Sequence, residues 1–177
     1  MSQEAKPAPV MATDPWEDAL SAQLRSAFTN ANLKLESFHG QPFAKLEPGY
    51  YYPAVDLLKS EGFDFLVDLT AVDRPKDVLR FEIVTILYSF AANRRVRVHT
   101  FIADGSTVPT LTPLYAAANW LEREIFDMFG IAFDGHPNLK RILMPDDWQG
   151  HPLRKEQSIV AMDQAWVQAN LGIESGQ

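Results

Sequence analysis

Residues 119–155 read NWLEREIFDMFGIAFDGHPNLKRILMPDDWQGHPLRK, and they restrict the fold more than any other part of the chain. The first third is helical in pattern. Leu121, Ile125, Met128 and Phe129 recur at helical spacing and make one apolar stripe. Asn119 is placed to cap the helix, with Glu122 reaching back to close a capping box. Arg123 and Asp127 are placed to pair along the surface, and Gly130 to end the helix in a left-handed turn. The period then stops. Pro137, Pro145 and Pro152 exclude a long helix, while Gly135 and Gly150 loosen the backbone. Yet Phe133, Ile142, Leu143, Met144 and Trp148 stand here among Lys140, Arg141, Asp146, Asp147, Arg154 and Lys155. An extended ribbon so rich in large apolar groups is expected to lie on another surface.

The preceding residues read as a mixed domain. Residues 1–14 are Pro- and Ala-rich and are expected to be a disordered tail. Asp14-Pro15-Trp16-Glu17 reads as a helix start, with the helix running to about Asn30. Leu33–Phe38 alternates like a short strand, and His39-Gly40-Gln41-Pro42 is a turn followed by loop. Pro53 is placed to open a helix over Ala54–Ser60. Strands follow over Phe63–Ala71, Leu79–Phe90 and Arg95–Ile102, and their short connections imply an antiparallel meander. The expected class is α+β, an antiparallel sheet with helices on one face, over residues 15–130. An extended arm and tail over residues 131–177 follows, with a last helix over Ser158–Asn170.

Charge and composition remove several function classes. A net charge of −7 argues against a general nucleic-acid binder. The chain has no cysteine, hence no disulfide and no thiolate for zinc or an iron–sulfur cluster. Its longest apolar run, about Ile83 to Ala92, is far short of the ~20 residues of a spanning helix, so membrane association is expected to be indirect. No glycine pattern fits a dinucleotide fold, and there is no phosphate loop or nucleophile elbow.

Some residue groups could carry chemistry. His136 and His151, with nearby acids, could bind zinc in a stand-alone metal-dependent hydrolase. They stand fifteen residues apart across two prolines, though, and no regular spacing joins them. The plainer reading makes both turn histidines bonded to backbone. Glu122 and Glu124 could do acid–base work, but they differ by about 200° around a helix and point apart. A structural role is favoured, with Arg141, Arg154 and Lys155 as cationic partners tying the arm back to the helix. Arg95, Arg97 and His99 form a basic stripe, either a solvated face or a site for an acidic partner. Trp120 reads as core, and Trp148 as either packing or an interface anchor.

The ordered set Trp120, Glu122-Arg123-Glu124, Asp127-Met128-Phe129-Gly130-Ile131, Phe133, Gly135-His136-Pro137, Leu139, Arg141-Ile142-Leu143, Pro145, Trp148, Gly150 and Pro152-Leu153-Arg154-Lys155 resembles the C-type subunit of the proton-pumping NADH–quinone oxidoreductase, respiratory complex I. The resemblance is strong over the second half and general over the first. It implies a non-redox scaffold of the peripheral arm, not catalytic by itself. FMN, iron–sulfur clusters and quinone would then sit in other subunits, with no cofactor, metal or catalytic residue here. The chief implied partner is the D-type quinone-site subunit, and the place is the cytoplasmic side of the cell inner membrane. Relatives in hydrogenase and ferredoxin-dependent NDH-type complexes leave a second reading of the same class.

Overall fold

Alternating burial along three long strands sets the architecture. In the computed structural model, which describes residues 12–157 and 168–169, β4 (Phe65–Asp73), β5 (Phe81–Ser89) and β6 (Arg94–Ile102) form the expected antiparallel meander. Val96, Val98, Thr100 and Ile102 of β6 are buried, as are Ile83, Thr85 and Leu87 of β5. With period-two side chains, this directs one face of the sheet to the core. The full sheet has six strands in the order β1-β2-β3-β6-β5-β4, with β1 (Asp14–Pro15), β2 (Lys34–Phe38) and β3 (Gln41–Leu46) completing it. All pairs are antiparallel except β3–β6, which is parallel.

Helices α1 (Ala19–Ala27), α2 (Pro48–Ser60) and α3 (Ala118–Phe129) join the inner sheet face in one apolar cluster. On α2, Tyr51, Ala54, Val55 and Leu58 are buried at the spacing of one helical stripe. The Tyr51 hydroxyl and Thr85 Oγ1 share a hydrogen bond of 2.6 Å inside that core. A two-stranded parallel sheet, β7 (Thr107–Pro109) and β8 (Ala132–Asp134), sits beside α3. Among the described residues no helix is long and apolar enough to cross a membrane.

Several expected boundaries move. Asp14-Pro15 is an edge strand rather than a helix start, paired with Ser37 and Glu36. An edge position suits a proline, which has no N–H to offer. Asp18 caps α1 instead, in a reciprocal capping box with Ser21. The residues after the His39-Gly40 turn are strand β3, not loop. His39 and Gly40 both have positive φ, 49° and 72°, which matches a two-residue hairpin turn. Pro42 is tolerated because pairing with β6 begins only at Phe43. Pro53 lies inside α2, not at its start, which Pro48 occupies. Pro53 and Gly49 are exposed, so solvent can meet the carbonyl that Pro53 cannot bond.

The expected division at Gly130 does not follow the edge of the core. Ile131 and Phe133 are 2% and 4% exposed and belong to the main cluster. Most of the expected N-terminal tail and nearly all of the expected last helix lie outside the described residues.

Tyr51→Phe leaves the buried Thr85 hydroxyl without this partner. Urea unfolding is expected to show a loss of about 1–3 kcal/mol. The half-exposed Tyr52→Phe is expected to leave the midpoint unchanged.

Candidate docking surface on the folded arm

The residues after Gly130 turn back along α3 and are held there by side chains of the domain. Gly130 takes φ 74° at the end of α3, as the sequence predicts. A Cβ there would lie 2.5 Å from His151 Nε2, so glycine is needed for both backbone conformation and close approach.

Asp127 is the central tie. Its side chain is fully buried. Oδ2 accepts the backbone N–H groups of Ile142, Leu143 and Met144 at 3.0, 2.7 and 2.8 Å, and Oδ1 accepts from Arg141 Nη1 at 2.7 Å. Burial alone would raise this carboxyl's pKa. The three N–H groups and the Arg141 guanidinium outweigh it and hold the pKa below the usual range. Arg141 also donates to the Gly150 carbonyl at 2.9 Å. The expected Arg123–Asp127 pair does not form. Arg123 donates instead to the carbonyls of Lys140 and Arg141, at 3.1 and 3.0 Å.

A second tie closes the end of the arm. Arg154 donates to both oxygens of Asp104, at 3.0 and 2.9 Å, and to the Phe129 carbonyl at 2.6 Å. Arg80 donates twice to Asp73, at 2.8 and 2.9 Å, once to Asp104 at 3.0 Å, and pairs with Glu156. Both guanidinium groups lie against the Phe81 ring, 5.0 and 5.1 Å from its centre. Lys155 joins through its backbone, N–H to Asp73 Oδ2 at 2.7 Å. Among the described residues, its ammonium pairs with no carboxylate.

Glu122 and Glu124 point apart, as expected, but neither pairs with Arg141, Arg154 or Lys155 of the arm; the arm residue nearest Glu122 is His136, its Nε2 4.0 Å from Oε2. Glu124 is exposed. Glu122 is fully buried and forms no capping box, since α3 starts earlier, at Ala118, with Ala117 as its cap. Its carboxyl accepts from Thr110 Oγ1 at 2.5 Å and Leu111 N–H at 2.6 Å. Burial pushes its pKa up to about 7 against those two bonds. His136 Nδ1 accepts the Asn138 N–H at 3.0 Å, so Nε2 carries the proton and donates to the Asn119 carbonyl at 3.2 Å. His151 Nδ1 bonds the Asp127 carbonyl at 2.9 Å. The two histidines thus sit against different turns of α3, the carbonyls they bond being roughly 12 Å apart by helix rise. Among the described residues no three His, Asp or Glu side chains gather as a metal site.

Tryptophan placement also differs from expectation. Trp120 is 61% exposed rather than core, stacked under Arg123 at 5.3 Å. Its position on α3 faces away from the Ile125–Met128 stripe. Trp148 is half-buried, with its backbone N–H closing a turn to the Pro145 carbonyl at 3.0 Å. Pro137 and Pro145 are exposed, Pro152 is half-buried, and Gly135 and Gly150 take φ 78° and 77°. Leu143 and Leu153 stand 55% and 50% exposed on the arm. Asp73, Arg80, Asp104 and Thr110 carry much of the geometry, and sequence reasoning missed them. Their partners lie 7 to 82 positions away, beyond any local pattern.

The arrangement is a ribbon tied along its length to the domain, with Leu143 and Leu153 turned outward. The model of the respiratory-chain NADH dehydrogenase 30 kDa subunit matches residues 44–162. The chain belongs to that family. It is similar to the C-type subunit of NADH-quinone oxidoreductase from Ruegeria sp. (strain TM1040), 37% identical over 77% of this chain and 70% of that one. The same-named protein of Rhodobacter capsulatus is 52% identical over 53% of this chain, which spans only 47% of its length. A solved structure, "Nqo5 of the trypsin-resistant fragment", agrees with a TM-score of 0.61 at 30% identity, over 68% of this chain and 98% of that one. Membership makes the chain a peripheral-arm subunit of a multi-subunit oxidoreductase. The stand-alone hydrolase reading finds no support in these relatives.

Asp127→Ala leaves three N–H groups and Arg141 Nη1 unmet. Limited trypsin digestion is expected to cut after Lys140 and Arg141 much faster, with about 3–5 kcal/mol lost in a urea melt. Glu122 has a folded pKa above its unfolded value, so the unfolded chain releases the proton first. Stability is expected to fall as pH rises from about 4.3 to about 7, then level off. Glu122→Gln is expected to remove that slope in urea melts run across the range.

Proposed function

We propose that this chain is a non-redox scaffold of the peripheral arm of NADH–quinone oxidoreductase, docking its neighbours through the folded arm. The observation that carries this is the ribbon itself. Its backbone N–H groups are bonded inward to the Asp127 and Asp73 carboxylates and the Met128 carbonyl, while Leu143 and Leu153 on the ribbon and Trp120 on the adjoining helix are turned outward. An aromatic stacked under an arginine at the rim of a fixed ribbon is the composition of an interface anchor. Apolar surface of this kind on a pre-ordered frame loses little entropy when it is covered.

The chain has no cysteine to bind an iron–sulfur cluster by thiolate. On the family reading, FMN, the clusters and the quinone site belong to other subunits, with no cofactor in this one. The chief neighbour is the D-type quinone-site subunit. Attachment to it would hold the chain at the cytoplasmic side of the cell inner membrane. Electron transfer from NADH to quinone, coupled to ion translocation, is the work of the whole assembly.

Trp120→Ala is the direct test. The isolated chain is expected to melt within about 0.5 kcal/mol of the parent. Recovery of the assembled complex from native membranes is expected to fall, together with NADH–quinone reductase activity. Arg154→Ala, which frees the end of the arm, is expected to lower both as well while the isolated domain stays folded. Full complex recovery with both variants would sink the docking role, and NADH oxidation by the purified single chain would sink the non-redox role.

A further inference from the structure

The helices cover one face of the six-stranded sheet, and register defines what the other face presents. Ile86, Arg97 and Phe43 lie opposite one another in one row across β5, β6 and β3. Val84, His99 and Lys45 form the next row. Phe43 is 6% exposed yet stands outside the main core cluster. It is buried on this second face instead, between the Lys45 ammonium and the Arg97 guanidinium, 5.0 and 5.5 Å from its ring centre.

The charge on this face runs against that of the chain. The whole chain carries −7, but on this face Lys34, Lys45, Arg95 and Arg97, with His99, outnumber Glu36, Asp68 and Glu82. Glu36 holds Lys45, and Glu82 holds His99. Among the described residues no carboxylate reaches Arg95 or Arg97. Arg97 Nε and His99 Nε2 are both buried without a hydrogen-bond partner. Such groups are normally satisfied in a finished structure. They line a cleft of about 220 Å³ against Phe43. Three strands away, at the β4 end of the sheet, Phe65 and Phe90 stand 47% and 67% exposed, their rings 5.5 Å apart.

We propose that this sheet face, which the described residues leave uncovered, is a second docking surface, taken by an acidic surface of a neighbouring folded subunit. A carboxylate side chain enters the Phe43 cleft onto Arg97, and apolar side chains lie on Val84 and Ile86. Charge complementarity selects the acidic partner. Width selects a folded one, since six strands span about 24 Å. A single helix or extended tail covers only about 10 Å of that. The inference rests on the reading that the chain works inside a multi-subunit complex, and it adds an interface separate from the arm.

The test places the photo-crosslinker p-benzoyl-phenylalanine at Ile86 or at Thr70 in the full tagged chain, expressed in its native membranes. After irradiation of the purified complex, adduct peptides are identified by mass spectrometry. Both positions are expected to join one other subunit within a stretch rich in Asp and Glu. Arg97→Glu is expected to lower that adduct about tenfold, and Arg97→Gln by less, with melting of the isolated chain unchanged. Replacing an acid of the joined stretch by arginine is expected to restore the adduct in the Arg97→Glu background. Adducts to residues 1–11 or 158–177 of this chain, to a second copy, or to a basic stretch overturn the proposal. An assembled complex with both probes unreacted overturns this surface alone. A chain that purifies without partners overturns the scaffold reading and this one with it.

Discussion

One buried carboxylate decides the shape of the second half of the molecule. Asp127 gathers three consecutive backbone N–H groups and one guanidinium at the point where the arm would otherwise leave. Each N–H it satisfies belongs to a segment with no ladder of its own, so the carboxylate does for this ribbon what a neighbouring strand does elsewhere. Because the acceptor is charged and shielded from water, each bond is stronger than its neutral equivalent. The Arg80–Asp73–Asp104–Arg154 network repeats the device at the far end, with both guanidinium groups against the Phe81 ring.

These ties turn a sticky segment into a fixed one. An unanchored ribbon would bury its apolar groups wherever it could. Here Leu139 and Met144 pack onto the core while Leu143 and Leu153 remain outside. The same division recurs across the sheet, where one face is packed by helices and the other carries Lys45, Arg97 and His99 around the Phe43 ring, with Phe65 and Phe90 exposed. A chain arranged this way is poorly complete alone and well suited to be covered.

Much of this was legible in the residues. The meander over β4, β5 and β6 followed from alternation, and the end of α3 from Gly130. The α+β class and the family both followed from local patterns and from the ordered set of residues after Trp120. Strand β3 was not legible, because Pro42 suppresses the local signal and pairing with β2 on one side and β6 on the other makes it a strand. The start of α1 was misplaced because Asp14-Pro15 and Asp18 offer two helix starts, and burial of Trp16 selects the second.

The site divides along the same line. Glu122 and Glu124 could be told apart by helix rotation alone, but not their partners. Which acid holds the arm, Asp127 rather than Glu122, depends on where residues 141–144 come to lie in space. Trp120 reads as core from its type, and its exposure is set by which side of α3 the sheet occupies. Periodicity and turn chemistry are local, so the amino-acid order determined the elements, their class and the ribbon's need for a surface. Hydrogen bonds across 7 to 82 positions are not local, so only the tertiary structure decided which groups meet that need.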